Sequence, residues 1–387
     1  MSALPILQNA FVIIEGDEIA DFGSMDTYKR NPEKDDLDAS GRFVFPSWCD
    51  SHTHLVFPAS REYEFVAKIK GKTYAEIAAS GGGILNSARL LNETSEDRLF
   101  VQAWARLEEM IATGTGAVEI KSGYGLSLEG ELKMLRVIRK LKEKSSVPVR
   151  STFLGAHTFP EAYRDDHDGY IRLIVEEMIP QIAKEKLADY IDVFCEEGFF
   201  SKEETIRICN AGKAHGLMPK LHANQLNLSG GVQAGIAVGA RSVDHLENIG
   251  EEEINLLATH SSTIATLLPG PAFFLRMPFQ PARKLLDAGA SIALATDYNP
   301  GSAPSGNMNF IVSLACIQLR MLPEEAINAA TINGAYAMDI QDTVGSVTIG
   351  KKANLFVTIP MPSPAYLPYS FGSNCVERTM IAGVWKG

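Results

Sequence analysis

The chain has 387 residues, of which 45% are hydrophobic and 21% charged, with a formal net charge of −11. That length can bury a barrel of about 250 residues with a smaller domain beside it. The acidic balance argues against nucleic-acid and anionic-membrane partners, since both need a basic face.

No run approaches the ~18 consecutive apolar residues of a membrane-spanning helix. The start, Met1-Ser2-Ala3-Leu4-Pro5, has neither the basic nor the long apolar region of a secretory signal. Cys49, Cys195, Cys209, Cys316 and Cys375 are widely spaced, odd in number and include no Cys-X-X-Cys. Reduced thiols in a cytoplasmic protein are therefore expected, not a disulfide frame or a zinc ribbon.

In chain order, the apolar run 10–14, the turn Gly16-Asp17 and the run 19–22 predict a hairpin. From residue 42 onward, short apolar strands alternate with amphipathic helices. The strands fall at 43–54, 117–121, 149–157, 190–195, 218–222, 242–245, 263–268 and 291–297. Helical patterns fill 129–144, 168–186, 202–215 and 231–239. In the first of them Leu132, Leu135, Ile138 and Leu141 recur at helical spacing. The strands lack strict alternation, as expected when both faces are covered. Eight strand–helix units in series predict an α/β fold, a (β/α)8 TIM barrel, over 43–349. The runs 353–359 and 379–385 read as further strands. With the N-terminal hairpin they predict a small, β-sandwich-like domain built from 1–42 and 350–387.

The polar residues with ligand potential gather at predicted strand ends. His52 and His54 close the first strand, Tyr124 follows the second, and His157 closes the third. His222 closes the fifth, His245 the sixth and Asp297 the eighth. His52 and His54 stand two apart, which on a strand puts both on one face. The C-terminal face of a TIM barrel is where active sites are built. The remaining histidines, His167, His215 and His260, fall in helical or loop stretches and read as surface residues. Three imidazoles and a carboxylate suit one metal ion with an open position for water. Such an ion makes hydroxide near neutral pH. A two-metal site needs a bridging group, and Lys121 is the only lysine at a strand end that could supply one. A surface or supporting role is commoner for such a lysine, so one ion is expected.

These residues resemble the amidohydrolase superfamily and, more narrowly, its imidazolonepropionase family. The resemblance is carried by Asp50-Ser51-His52-Thr53-His54-Leu55-Val56-Phe57, Ser60-Arg61, Glu64-Phe65 and Gly81-Gly82-Gly83-Ile84. It continues through Glu119-Ile120-Lys121-Ser122-Gly123-Tyr124-Gly125-Leu126, Leu154-Gly155-Ala156-His157, Ser242-Val243-Asp244-His245-Leu246-Glu247 and Ala295-Thr296-Asp297-Tyr298-Asn299-Pro300-Gly301-Ser302. It implies a hydrolase that opens the cyclic amide of 4-imidazolone-5-propanoate to N-formimino-L-glutamate, the third step of histidine degradation, with one zinc or iron ion.

It also implies His52, His54, His222 and Asp297 as metal ligands, with Asp297 and His245 as the catalytic pair. Arg61, Tyr124 and His157 would hold the anionic substrate, with Tyr74, Gln225, Asn299, Gly301 and Ser302 lining its pocket. Arg61 offers a planar donor fork that suits a propanoate. Tyr74 opens a helical stretch over 73–78, where core packing is an equal reading. The glycines at 81–83 suit either a mobile loop or a plain turn.

The chain departs from the family pattern in two places. An acid usually follows the strand-five histidine within three residues; here the segment is Ala223-Asn224-Gln225. Gln225 can hydrogen-bond a ring but cannot take a proton, so proton transfer falls to Asp297 and His245. The family pattern also has a longer segment before residue 10, so the terminal β domain reads as shortened. Two rivals remain: another mononuclear amidohydrolase, such as a guanine- or cytosine-type deaminase, and a non-catalytic barrel that binds a small anion. Gln225 disfavours the first and the full ligand set disfavours the second. A homodimer is compatible with the sequence.

Overall fold

The structure is a computed structural model that describes residues 3–29, 36–72, 76 and 81–386. Eight parallel strands follow one another around a barrel. They are β4 (Trp48–Thr53), β5 (Thr115–Lys121), β6 (Val149–Ala156), β7 (Tyr190–Cys195), β8 (Met218–Ala223), β9 (Ser242–His245), β10 (Ile264–Leu267) and β11 (Ile292–Leu294). Each neighbours the next in sequence, as right-handed βα units dictate. β4, β5 and β7 are buried at every position, which explains their lack of alternation. The expected TIM barrel is present.

The ring closes just past the strand ends. Asp297 N–H donates to His52 O at 2.9 Å and His54 N–H to Tyr298 O at 2.9 Å. Thr53 bridges Tyr298 in parallel. The seam of the barrel therefore runs through three of the predicted metal ligands.

The other strands are β1 (Ala10–Glu15), β2 (Glu18–Ser24), β3 (Val44–Pro46), β12 (Leu355–Thr358), β13 (Val376–Ile381) and β14 (Val384–Lys386). β1 and β2 form the expected hairpin with Gly16 at φ +63° in its turn. β14, β13, β12 and β3 form a four-stranded antiparallel sheet. Ile19, Ala353, Leu355 and Met380 pack hairpin and sheet together around Val12, Val44 and Trp385.

Three expected elements divide. The run 43–54 is two strands, not one. Val44–Pro46 pairs with Leu355–Val357 in the terminal sheet. Ser47 N–H then bonds Asn354 O, and Trp48 N–H bonds Gly114 O in the barrel. Pro46 brings no N–H donor to a ladder, so the switch falls where a continuous ladder would be weakest. The run 379–385 turns at Ala382 (φ +50°) and Gly383 (φ +75°), the left-handed pair of a tight hairpin. The helix expected over 168–186 carries a π turn at Leu173–Met178 ahead of Pro180, whose missing N–H breaks the regular ladder.

Tyr74, and the stretch 73–78 apart from Glu76, lie outside the described residues. Gly83 opens the helix Gly83–Glu93, and its N–H donates to Glu64 at 2.8 Å, so this part of the glycine segment is a turn into a helix. The five cysteines are unbridged. Among the described residues no helix is long and apolar enough to cross a membrane.

Candidate metal centre and substrate pocket

His52, His54, His222, His245 and Asp297 meet at the C-terminal mouth of the barrel. One nitrogen each of His52, His54 and His222 lie within 4.8 Å of one another, as do ligand atoms of His52, His245 and Asp297. Asp297 Oδ1 stands 3.4 Å from Nε2 of both His52 and His54. All five side chains are buried. Left-handed backbone at Asn224 (φ +55°), His245 (φ +84°), Leu246 (φ +66°) and Asp297 (φ +55°) swings the chain off the strand ends toward this point. Such conformations are costly for non-glycine residues and cluster at working sites.

The imidazoles are oriented from behind. His52 Nδ1 meets Asp244 Oδ2 at 2.6 Å, and His222 Nδ1 meets Asp192 Oδ2 at 3.0 Å. A carboxylate on Nδ1 fixes the tautomer that leaves Nε2 free as a ligand. His52 Nε2 is buried and has no hydrogen-bond partner, and neither has His54 Nδ1. Burial pushes the His54 and His222 imidazoles below their ordinary pKa, which keeps them neutral and able to bind a cation. Burial opposes ionisation of Asp297, but His52 and His54 outweigh it and hold the carboxyl well below the usual range. Burial works against a charge on His52 as well, but the carboxylates of Asp244 and Asp297 outweigh it and raise its pKa instead. The donor set fits one divalent ion: imidazole nitrogens, one carboxylate oxygen and an orphaned ring nitrogen that an ion would satisfy.

Below this layer lies a buried charge network that the sequence reading did not assemble. Lys121 Nζ stands 2.7 Å from Glu119, 2.8 Å from Asp192 and 3.5 Å from Asp244. Lys220 pairs with Glu119 and reaches Ser51 O at 3.4 Å. Burial works against the charge on Lys121, and the three carboxylates more than restore it. An ammonium so enclosed is no bridging ligand. Lys121 is instead the shared counter-cation of the carboxylates behind His52 and His222. Asp50 accepts from Thr296 N–H at 3.1 Å and Thr296 Oγ1 at 2.6 Å, tying the first strand to the segment that carries Asp297.

Two of the expected substrate residues, His157 and Tyr124, lie against His54. His157 stacks on His54 with ring centroids 5.5 Å apart, and its Nδ1 bonds Gly123 O at 3.0 Å. Burial and the neighbouring His54 lower its pKa to about 3, so it is a neutral donor or acceptor. Tyr124 lies 5.8 Å from His54 and 5.6 Å from His157, centroid to centroid, with its phenol kept protonated by burial. Its loop is held by a buried carboxylate that the sequence reading missed. Glu131 accepts from the N–H groups of Gly123, Gly125 and Leu126 at 3.0, 2.7 and 3.0 Å.

Arg61 is anchored by Ser87 Oγ through Nε at 2.9 Å and Nη2 at 2.7 Å, which leaves Nη1 without a hydrogen bond among the described residues. A Cβ at Gly301 would come 2.7 Å from that Nη1, so a side chain there would displace the guanidinium. Arg61→Ala is expected to lower kcat/KM while the protein keeps its fold and its metal. Loss of a charge-assisted anchor costs about 2–4 kcal/mol, which is roughly 30- to 1,000-fold. Steady-state kinetics beside a melting curve would check this, and an unchanged kcat/KM would make Arg61 a structural residue.

Asn299, Ser302 and Gln225 divide in role. Asn299 spends its amide on its own turn, donating to Asp297 O and Ser302 Oγ and accepting from Gly301 and Ser302 N–H. Ser302 Oγ donates to Asp297 Oδ2 at 3.2 Å, so it orients the carboxylate. Gln225 is half-buried; its carbonyl accepts from Asn248 Nδ2 at 2.7 Å, and its side-chain amide makes no hydrogen bond among the described residues. The loop that carries it is pinned by Glu196, which accepts from Leu226 N–H at 2.8 Å and pairs with Ser229. His167, His215 and His260 are exposed, as expected.

Residues 43–386 match the amidohydrolase family. The imidazolonepropionase of Flavobacterium johnsoniae is 56% identical over 383 residues, covering 99% of this chain and 93% of that protein. The imidazolonepropionase of a Geobacillus species is 44% identical over 388 residues, covering 99% and 91%. In fold, a triazine hydrolase from Arthrobacter aurescens superposes with a TM-score of 0.75 at 15% identity, covering 98% of this chain and 90% of that one. A zinc-bound adenosine deaminase from Xanthomonas campestris gives a TM-score of 0.65 at 18% identity, covering 98% and 88%.

Proposed function

Since the chain belongs to the amidohydrolase family, alongside imidazolonepropionases such as two with which it shares 56% and 44% identity over nearly its whole length, we propose that it opens the cyclic amide of 4-imidazolone-5-propanoate. The product is N-formimino-L-glutamate. The observation that supports this reading is a cluster with an anchor near it: His52, His54 and His222 offer nitrogens within 4.8 Å of one another, Asp297 Oδ1 stands 3.4 Å from His52 and His54, and Arg61 Nη1 makes no hydrogen bond among the described residues. A ring carbonyl at the cluster with a carboxylate at Arg61 satisfies both ends of that substrate.

His52, His54, His222 and Asp297 would hold one zinc or iron ion. When bound there, the ion supplies Lewis acidity for the carbonyl and makes water acidic enough to deprotonate near neutral pH. The protein's residues do the rest. Asp297 takes the water proton on the oxygen that Ser302 orients. The water oxygen bonds to the ring carbonyl carbon, and the carbonyl electron pair moves onto its oxygen, where His245 faces it. That pair then returns, the ring C–N bond breaks, and Asp297 hands its proton to the departing nitrogen. Arg61, Tyr124 and His157 fix the substrate so that the carbonyl arrives already in place. Gln225 contributes a neutral amide to the ring and no proton.

We place the enzyme in the cytoplasm, acting on a free small molecule. The test is the loss of ultraviolet absorbance of imidazolone propanoate with purified, metal-quantified protein. Turnover of that compound supports the reading. No turnover, together with ammonia release from guanine or cytosine, would replace it with a ring deaminase. One metal ion per active chain is expected by elemental analysis; two per chain, or activity with none, would reject the single-ion site.

A further inference from the structure

One buried acid at the site has no part in the scheme above. Glu247 lies two residues past His245 and is 5% exposed. Its Oε1 stands 3.4 Å from His245 Nδ1, while its Oε2 is buried without a hydrogen-bond partner. The other buried carboxylates nearby are well supplied. Glu131 accepts three backbone N–H groups; Glu196 takes the N–H groups of Leu226 and Glu197 and the hydroxyl of Ser229. Glu247 has no arginine or lysine beside it among the described residues, only the imidazole and its own amide. A buried carboxyl with so little to satisfy it calls for an explanation. The left-handed backbone at His245 and Leu246 provides one, because two such residues in succession curl the chain and return residue 247 onto the ring of 245.

We propose that Glu247 is the positioning residue for His245. It engages the Nδ1 edge of the ring, so that Nε2 is the edge presented to the reacting carbonyl oxygen. Asp244 and Asp192 do the same for His52 and His222, but His245 receives no help from the Lys121 network and needs its own acid. The role matters more here because Gln225 stands where an acid is usual, leaving His245 and Asp297 alone beside the reacting bond. The inference rests on the hydrolytic reading of the site.

The test uses the metal-loaded enzyme, three single variants, E247L, E247Q and H245N, and the E247L/H245N double variant. E247L removes the contact while keeping bulk. It is expected to lose roughly 10- to 100-fold in kcat, the range for a residue that orients a working histidine, with KM and metal content within about twofold. E247Q still engages Nδ1 through its amide and should recover most of the loss. In the E247L/H245N double variant the E247L loss should vanish, since both changes remove one function. Unchanged kcat in E247L, additive losses, or a rise in KM alone would overturn the role. A readout independent of substrate separates this inference from the assigned reaction. In 15N-histidine-labelled enzyme, the ring signal absent from H245N should move in E247L and stay put in E247Q. A signal that does not move in E247L overturns the positioning role even if the substrate is another cyclic amide.

Discussion

Lys121→Met is expected to weaken metal binding and to cost the protein much of its stability. Among the described residues Lys121 and Lys220 are the two ammoniums set against Glu119, Asp192 and Asp244 in the fully buried interior. With Lys121 gone, one ammonium faces three carboxylates. Removing one partner of a buried ion pair costs about 3–5 kcal/mol, because the abandoned charge has no water to turn to. The same change frees Asp192 and Asp244, which hold His222 and His52 by Nδ1. Loss of such support weakens metal binding by roughly 10- to 100-fold. The milder double variant Lys121→Met/Asp192→Asn removes one charge of each sign. It should regain most of the lost stability, yet bind metal weakly, because an amide orients His222 less firmly. Thermal melts and chelator competition on both proteins would check this. A Lys121→Met protein with wild-type melting and wild-type metal affinity would show that the network is incidental.

The sequence made the barrel and its mouth legible, because parallel strands buried on both faces and ligands at their ends leave plain marks. It hid the layer beneath, although a signal existed. In a strand, the residue two positions before a strand-end ligand points the same way and lies one layer deeper in the barrel. Asp50 precedes His52 in this way and Lys220 precedes His222. Both are charged and buried, and Lys220 leads through Glu119 to Lys121. Asp192 and Glu131 gave no such sign, since neither stands near a ligand in sequence. The split of 43–54 was hidden for another reason. Its apolar character is continuous across Pro46, and the partner that claims Val44–Pro46 lies about three hundred residues away. No local pattern carries that pairing. Gln225 was legible as a departure, but Glu247, the acid we propose positions His245, was not, because it is brought to that ring by backbone curl and not by spacing alone.

Asp297→Asn should abolish hydrolysis, whereas Gln225→Glu should leave most of it. The two residues differ in what holds them. Asp297 presents Oδ1 to His52 and His54 and gives Oδ2 to the Ser302 hydroxyl. An asparagine replaces one of these acceptors with a donor, and its remaining oxygen is not basic. It can be a weak ligand but cannot take the water proton, so the expected loss is at least about 100-fold, the lower end of what a general base contributes. Among the described residues Gln225 is held by hydrogen bond only through its backbone carbonyl, by Asn248, and that contact survives any change of side chain. A glutamate of the same length can still accept from a ring N–H and adds a second group able to carry a proton. The comparison is kcat for both variants at equal metal content. An Asp297→Asn protein that keeps its ion and its rate would transfer the role of base to His245, and the proton path through Asp297 would be wrong. A Gln225→Glu protein without activity would mean that the neutral amide is itself required, as a donor to a ring atom that a carboxylate cannot serve.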